Sequence, residues 1–244
     1  MDNPLDLVTR EDFDTYRDIR VGQANGERME NPYWTAMVQC GWQAYDALKH
    51  FGLKSDFAYL SGGAPRPVWC FHRLGMSCTL LQDYRMLFIG GEHEDGYDPD
   101  FAIYNDVIVR HWDGRIRIYG YPIQDFPPTD FHSATLVGED IYIIGARRLS
   151  EDRVYGTTPV YRLNLEDMVI QGITISGEEP GWIQDHDALY WKEEHSIVIW
   201  GGEISTGDNE SHINQLMWSF SLATNTWRRI ESLTLREASD RWWN

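Results

Sequence analysis

The sequence is poor in cysteine and in basic side chains, and both shortages exclude classes of protein. Its 244 residues include three cysteines, Cys40, Cys70 and Cys78, an odd number with no CxxC spacing. We therefore expect reduced thiols in a cytoplasmic protein rather than a disulfide framework. The 21 lysines and arginines face 38 acidic residues, which gives a net charge of −17. A chain this acidic is not expected to bind nucleic acid or an anionic membrane surface.

The chain also lacks long apolar runs and the common catalytic motifs. No apolar run reaches the roughly 18 residues of a membrane span, and residues 1–25 show no secretory-signal pattern. There is no Gly-x-Ser-x-Gly, no phosphate-binding loop, no dinucleotide fingerprint and no zinc signature. We therefore expect no cofactor and a non-catalytic protein.

Residues 1–66 are predicted to form a helical N-terminal segment. Thr9 is expected to cap a helix that ends near Arg20, with Asp12 as its capping-box partner. A second helix is predicted over residues 32–51, because Asn-Pro precedes an apolar stripe of helical spacing and Gly follows it. The stripe indicates a face that packs on the rest of the chain.

After a Gly- and Pro-rich linker the pattern changes to short apolar runs that repeat. Runs that end at Gly90, Gly145 and Gly201 recur at intervals of about 55 residues. Each belongs to a set of four runs, as expected for four short antiparallel strands of a propeller blade. The blades are predicted at about 67–122, 131–176 and 185–230, within a domain at 67–232 that a tail at 233–244 follows.

These repeats resemble the kelch family. The resemblance rests on Gly90-Gly91, Gly201-Gly202, Asn105-Asp106-Val107, Asn225-Thr226-Trp227, His132-Ser133-Ala134 and His186-Asp187-Ala188. It implies a mainly β fold: a kelch-like partial or small β-propeller of three four-stranded blades with an N-terminal helical segment. The chain departs from the family at Gly145-Ala146, and it has three blades where closed propellers have about 4–8.

Three blades would leave open sheet edges, which are prone to pair with other chains. Three remedies are open: the N-terminal helices cover the opening, the N-terminal segment completes a fourth blade, or two chains form a homodimer. We favour the helices, because the amphipathic segment at 32–51 otherwise has nothing to pack on.

The long loops are expected on one face of the blades, because a meander places alternate connections at the same end. Loops 92–104, 122–131, 147–157, 176–185 and 203–213 hold fifteen acidic residues and three arginines. A face of one sign attracts partners of the opposite sign. The residues predicted to bind a basic partner are Glu92, Glu94, Asp95, Asp98, Asp100, Glu178, Glu179, Asp208 and Glu210.

The run 92–100 carries carboxylates at alternating positions around a glycine, a pattern that also suits an oxygen-ligand cation loop. Its spacing does not match an EF-hand, so an exposed acidic binding loop is the favoured interpretation and a bound cation stays an alternative.

Three functions follow as hypotheses. Kelch-like proteins are mostly interaction scaffolds, and a small acidic chain without catalytic motifs looks like a bacterial immunity protein that neutralises a basic toxin such as a nuclease. Kelch-like propellers also resemble sugar epimerases, for which the candidate residues are Arg73, His132, Tyr142 and His186. A carbohydrate-binding module would instead stack sugars on Trp69, Trp112, Trp182 and Trp191.

Overall fold

The computed structural model describes residues 3–53, 67–93 and 101–230. They belong to two compact units, which divide between Asp130 and Phe131. The fold is mainly β, as the sequence predicts. The predicted tail and most of the predicted linker lie outside the described residues. No helix in the described ranges is long and apolar enough to cross a membrane.

The N-terminal unit contains three α-helices among its described residues: α1 (Arg10–Tyr16), α2 (Pro32–Cys40) and α3 (Ala44–His50). The predicted capping box is confirmed, because the Thr9 hydroxyl accepts a hydrogen bond from the backbone N–H of Asp12 at 3.0 Å. The helix ends at Tyr16 and not near Arg20. A 3-10 turn at Pro4–Leu7 precedes it.

The prediction of one continuous helix over 32–51 was wrong. Gly41 follows α2 in the left-handed region, at φ 68°, and its N–H closes the helix by donating to the Met37 carbonyl at 2.9 Å. Glycine takes this conformation at little cost and commonly ends helices in this way. In the sequence Gly41 occupies an apolar position of the stripe, so periodicity alone did not reveal the break.

The first β-sheet of the N-terminal unit has the strand order β1-β7-β6-β3-β2. Strands β2, β3, β6 and β7 are the four predicted runs of the first repeat, paired antiparallel in sequence order. β4 and β5 form a separate two-stranded ribbon in the loop between β3 and β6. The strands are β1 (Glu27–Arg28), β2 (Ser77–Leu80), β3 (Met86–Ile89), β4 (Glu92–His93), β5 (Ala102–Ile103), β6 (Val107–Arg110) and β7 (Ile116–Gly120).

The helices pack on one face of this first sheet. Trp34 and Met37 of α2 lie in the same buried cluster as Ile108 and Ile118, which are directly opposite each other on β6 and β7. This apolar contact holds the helices on the sheet. The N-terminal residues also supply β1, a short outer strand that pairs with β7 and adds a fifth strand to the sheet. Residues 3–53 therefore do not build a fourth four-stranded sheet.

The C-terminal unit contains the second and third predicted repeats. The second sheet has the order β11-β10-β9-β8 and the third β12-β19-β18-β15-β14, and a three-stranded sheet β13-β16-β17 lies in the loops. The strands are β8 (Ser133–Val137), β9 (Asp140–Ile144), β10 (Val160–Asn164), β11 (Ile170–Gly172), β12 (Ser176–Gly177), β13 (Trp182–Gln184), β14 (Asp187–Trp191), β15 (Ser196–Trp200), β16 (Glu203–Gly207), β17 (Glu210–Ile213), β18 (Met217–Ser221) and β19 (Thr226–Ile230).

One backbone feature recurs before the first strand of every repeat. Gly75, Phe131 and Asp185 each lie two residues before that strand and have positive φ, at 60°, 49° and 54°. Only glycine adopts this region freely, so the two other residues must be held there by their surroundings. The N–H of Asp185 donates to the Phe131 carbonyl at 2.8 Å, which joins the starts of β8 and β14 within the C-terminal unit.

Candidate functional site

The long loops of the C-terminal unit form one connected surface. The Ala146 N–H donates to the Ile183 carbonyl at 3.0 Å, and the Thr158 hydroxyl donates to the Gly181 carbonyl at 2.8 Å. The connection from β9 to β10 is thereby fixed to the segment that leads into β14. We call the residues 147–157, 178–185 and 203–216 the loop surface.

The third loop joins the surface through strand pairing. Residues 203–213 were expected to be a loop, but they fold into the hairpin β16–β17, and β16 pairs with β13. The Tyr155 hydroxyl also donates to Asp208 at 3.0 Å, which links the first loop to the tip of the hairpin. Backbone pairing therefore gives this surface more order than a set of unpaired loops would have.

Four of the predicted partner-binding residues lie on the loop surface. Glu178, Asp208 and Glu210 are exposed, and Glu179 is half-buried because its carboxylate accepts the Thr158 N–H at 2.8 Å. The exposed Glu151 and Asp152 lie on the same surface, in a short 3-10 turn. The structure thus gathers acidic side chains that are far apart in the sequence.

Glu92 is not an exposed carboxylate. Glu92 is only 3% exposed, and its backbone pairs with Leu74 and Ile103 in the N-terminal unit. A buried carboxylate cannot form part of an exposed acidic face, so that prediction is corrected. Asp130, in the loop 122–131, is likewise 0% exposed. Glu94, Asp95, Asp98 and Asp100 lie outside the described residues, as does most of the proposed cation loop.

The three arginines of the loop surface have neighbours within it. Arg153 donates to the carbonyls of Arg147 and Arg148 at 2.8 and 2.9 Å and so fixes the turn. Arg148 is 8% exposed and lies against the rings of Tyr161 and Trp182. Arg153 thus fixes the turn and Arg148 packs in the interior, while Arg147 is an exposed cation of a surface whose other exposed charges are carboxylates.

Glu203 is held in its charged form by its neighbours on the loop surface. The Ser211 hydroxyl and the Gln184 amide both donate to its carboxylate, and the hydroxyl contact is the main cause of a lowered pKa. Hydrogen bonds to a carboxylate favour its ionised form. Glu203 therefore adds negative charge to the base of the hairpin.

Sequence reasoning missed the apolar part of the same surface. Four aliphatic side chains stand exposed there: Leu149 (43%), Val154 (61%), Ile213 (67%) and Leu216 (41%). Exposed aliphatic residues bordered by polar side chains are typical of protein interfaces. The available signal was the presence of aliphatic residues in loops that are otherwise polar.

His132 and His186 lie in the interior of the C-terminal unit, at 8% and 7% exposure. Burial lowers the pKa of His132 to about 3, with smaller contributions from its electrostatic interactions with His186 and Arg148, and burial lowers the pKa of His186 to about 4. Nε2 of His186 lies 2.9 Å from the Ser133 hydroxyl. These are neutral groups at the starts of two strands.

The other residues considered for an enzyme have structural partners. The Arg73 side chain is fully buried and makes a bidentate ion pair with Asp106, at 2.5 and 2.9 Å. Tyr142 belongs to the buried cluster of the C-terminal unit, and burial raises its pKa. Both residues stabilise the interior of their own units.

The tryptophans considered for sugar stacking are mostly inaccessible. Trp69 and Trp182 are 0% and 2% exposed, and Trp191 is half-buried. Trp112 is 79% exposed, in the turn between β6 and β7. A stacking platform needs exposed ring faces, and among these four residues only Trp112 offers one fully.

Within the described ranges, no group of three or more histidine, cysteine, aspartate or glutamate side chains is arranged to hold a metal ion. The chain matches no protein-family model, and no curated protein is similar enough to count as a relative.

Proposed function

We propose that the chain is a non-catalytic protein-binding module that binds a basic protein through the loop surface of its C-terminal unit. One observation carries the proposal: exposed carboxylates and exposed aliphatic side chains occur together on three segments that hydrogen bonds and strand pairing join into one surface. Aliphatic contacts supply affinity, and the acidic border selects a cationic partner and speeds its approach.

The finer proposal is a kelch-like arrangement of the three meander sheets and an immunity-type role. Two features support the arrangement: each repeat pairs its four strands in sequence order, and β14 lies beside β8 in the C-terminal unit. In the immunity-type role, carboxylates of the loop surface pair with the Lys and Arg side chains with which a toxin would contact phosphates.

The test uses two variants of the full chain with the same change of charge. The first, Glu178→Gln with Asp208→Asn and Glu210→Gln, removes three carboxylates from the loop surface. The control, Glu166→Gln with Asp167→Asn and Glu193→Gln, removes three exposed carboxylates from turns at the opposite strand ends. Each protein is immobilised and exposed to a lysate of the source cells at about 0.05 M and about 0.5 M salt, and bound proteins are identified by mass spectrometry.

We expect the native chain and the control to capture the same basic protein at low salt, less of it at high salt, and the loop-surface variant to lose it. Equal capture by both variants, or no basic protein at either salt, contradicts the proposal. If the captured protein is a toxin, its activity should be inhibited by the native chain and not by the loop-surface variant.

A further inference from the structure

The hairpin β16–β17 ends in an open strand. In the three-stranded sheet β13-β16-β17, β17 is the outer strand, and no strand pairs with its far side among the described residues. All four of its residues are exposed. Such an edge is a template on which another extended segment can pair.

The register shows which backbone groups face outward. The N–H of Asn214 donates to the Gly202 carbonyl at 2.9 Å, and His212 lies opposite Ile204. Backbone groups in an antiparallel strand point alternately toward and away from the partner strand. The backbone N–H and C=O groups of His212 and Asn214 therefore point toward β16. Those of Ser211 and Ile213 point to the open side.

Two of the residue types with which proteins discourage edge pairing are missing from this strand. Glu210–Ile213 contains neither lysine nor proline, and its aliphatic residue is 67% exposed. Arg147 and Arg153 act on Glu203 at the base of the hairpin, whereas the charges on the strand and in its turn are the exposed carboxylates of Glu210 and Asp208. They repel acidic segments and attract basic ones, which selects the occupant by charge complementarity.

We infer that the loop surface binds its partner by strand addition: an extended basic segment of the partner pairs with β17 through the outward backbone groups of Ser211 and Ile213. Side chains alternate between the two faces of a strand, with Ile213 on one face and Glu210 on the other. The matching segment alternates aliphatic residues, which cover Ile213, with lysine or arginine residues, which pair with Glu210. This inference rests on the proposed function and specifies how the same surface binds.

The test uses three synthetic hexapeptides of alternating Lys and Val, added to the full chain. One is unmodified, one carries N-methyl groups on its lysines, and one carries them on its valines. Because only every second N–H of an added strand points at β17, one methylated peptide keeps its pairing groups and the other loses them. Binding is measured by fluorescence anisotropy at about 0.05 M salt, and amide hydrogen exchange is followed at Ser211 and Ile213.

We expect the unmodified peptide and one methylated peptide to bind alike, and the other to bind about tenfold more weakly. Exchange at Ser211 and Ile213 should slow when either of the first two is bound. Ser211→Pro, which removes an outward N–H, should weaken binding similarly. Its thermal unfolding is compared with that of the native chain to confirm that it folds.

Equal affinity of the two methylated peptides, or unchanged exchange at both positions, overturns strand addition. If a basic protein is still captured and lost in the loop-surface variant, the proposed function stands while this inference fails. If no basic protein is captured at any salt, the proposed function itself fails, whatever the peptides do.

Discussion

Nε2 of His186 lies 2.9 Å from the Ser133 hydroxyl, where β14 begins beside β8. His132 precedes Ser133 and is also buried, and Arg148 is close enough to disfavour its protonation. The interior of the C-terminal unit therefore holds two imidazoles that are neutral when folded. They link its stability to pH.

The first prediction concerns that link. Both histidines have a pKa well below 6.5 in the folded state, about 3 for His132 and about 4 for His186, chiefly because of burial. Above pH 6.5 they are neutral in both states and contribute nothing. As the pH falls below 6.5 the unfolded chain takes up protons that the folded chain excludes, so stability declines, by about 2 kcal/mol per histidine at about pH 5.

Urea unfolding followed between about pH 7 and about pH 4.5 measures this decline. His186→Gln should remove a substantial part of it, because one of the two titrating groups is gone. His212→Gln is the control, since His212 is exposed on β17. An identical pH dependence in all three proteins would show that the buried pair does not control acid stability.

The second prediction concerns the ion pair in the N-terminal unit. The Asp106 carboxylate accepts two hydrogen bonds from Arg73 and one from the Trp69 indole at 2.7 Å. Arg73→Met leaves this carboxylate buried without its cation and should lower the free energy of unfolding by about 3–5 kcal/mol. Arg10→Met, which breaks an exposed pair with Asp14, should change it little. Comparable losses in the two variants would rule out a special role for the buried pair.

The third prediction separates a steric clash from backbone strain. Gly145 and Gly156 both have positive φ, at 74° and 82°. A Cβ on Gly145 would lie 2.4 Å from the Ile183 carbonyl oxygen, whereas one on Gly156 meets nothing within 4 Å. Gly156→Ala should cost about 1 kcal/mol of stability from conformation alone, and Gly145→Ala should cost at least about 2 kcal/mol more. Thermal unfolding of both variants gives the comparison, and equal losses would contradict it.

The fourth prediction concerns the aliphatic part of the loop surface. Val154→Ala and Ile213→Ala should each weaken binding of the captured partner about tenfold, because each removes exposed apolar area that the partner would cover. Stability should barely change, since both side chains are mostly in solvent. Leu80→Ala is the control, because Leu80 is 64% exposed but lies on β2 of the N-terminal unit. Unchanged affinity in the first two variants would remove these residues from the interface.

The sequence predicts the strands well because each strand depends on a local pattern. The runs that contain Leu87, Ile143 and Val198 each become the second strand of a repeat's four-stranded meander, as their apolar patterns and terminal glycines predict. The Thr9 cap is equally local. What failed was the estimate of helix length, because Gly41 fits the apolar stripe and ends the helix all the same.

The candidate site was harder to predict, because exposure depends on contacts between distant residues. The burial of Glu92 follows from the pairing of its strand with Ala102–Ile103 and from its bridge to Leu74. The charge pattern of the sequence contains neither contact. The aliphatic side chains of the loop surface were missed for the same reason, since contacts between three separate loops form that surface.

The recurring turn before β8 and β14 has a consequence for how the C-terminal unit melts. The Asp185 N–H donates to the Phe131 carbonyl, which joins the segments that start the two sheets, and the Ala146 N–H donates to the Ile183 carbonyl, which joins the end of β9 to the segment that leads into β14. Neither sheet can unfold alone without breaking hydrogen bonds that also hold the other sheet. We therefore expect residues 131–230 to unfold as one cooperative block, with a single calorimetric transition, and the central strands β9, β10, β15 and β18 to show some of the slowest amide exchange in the chain.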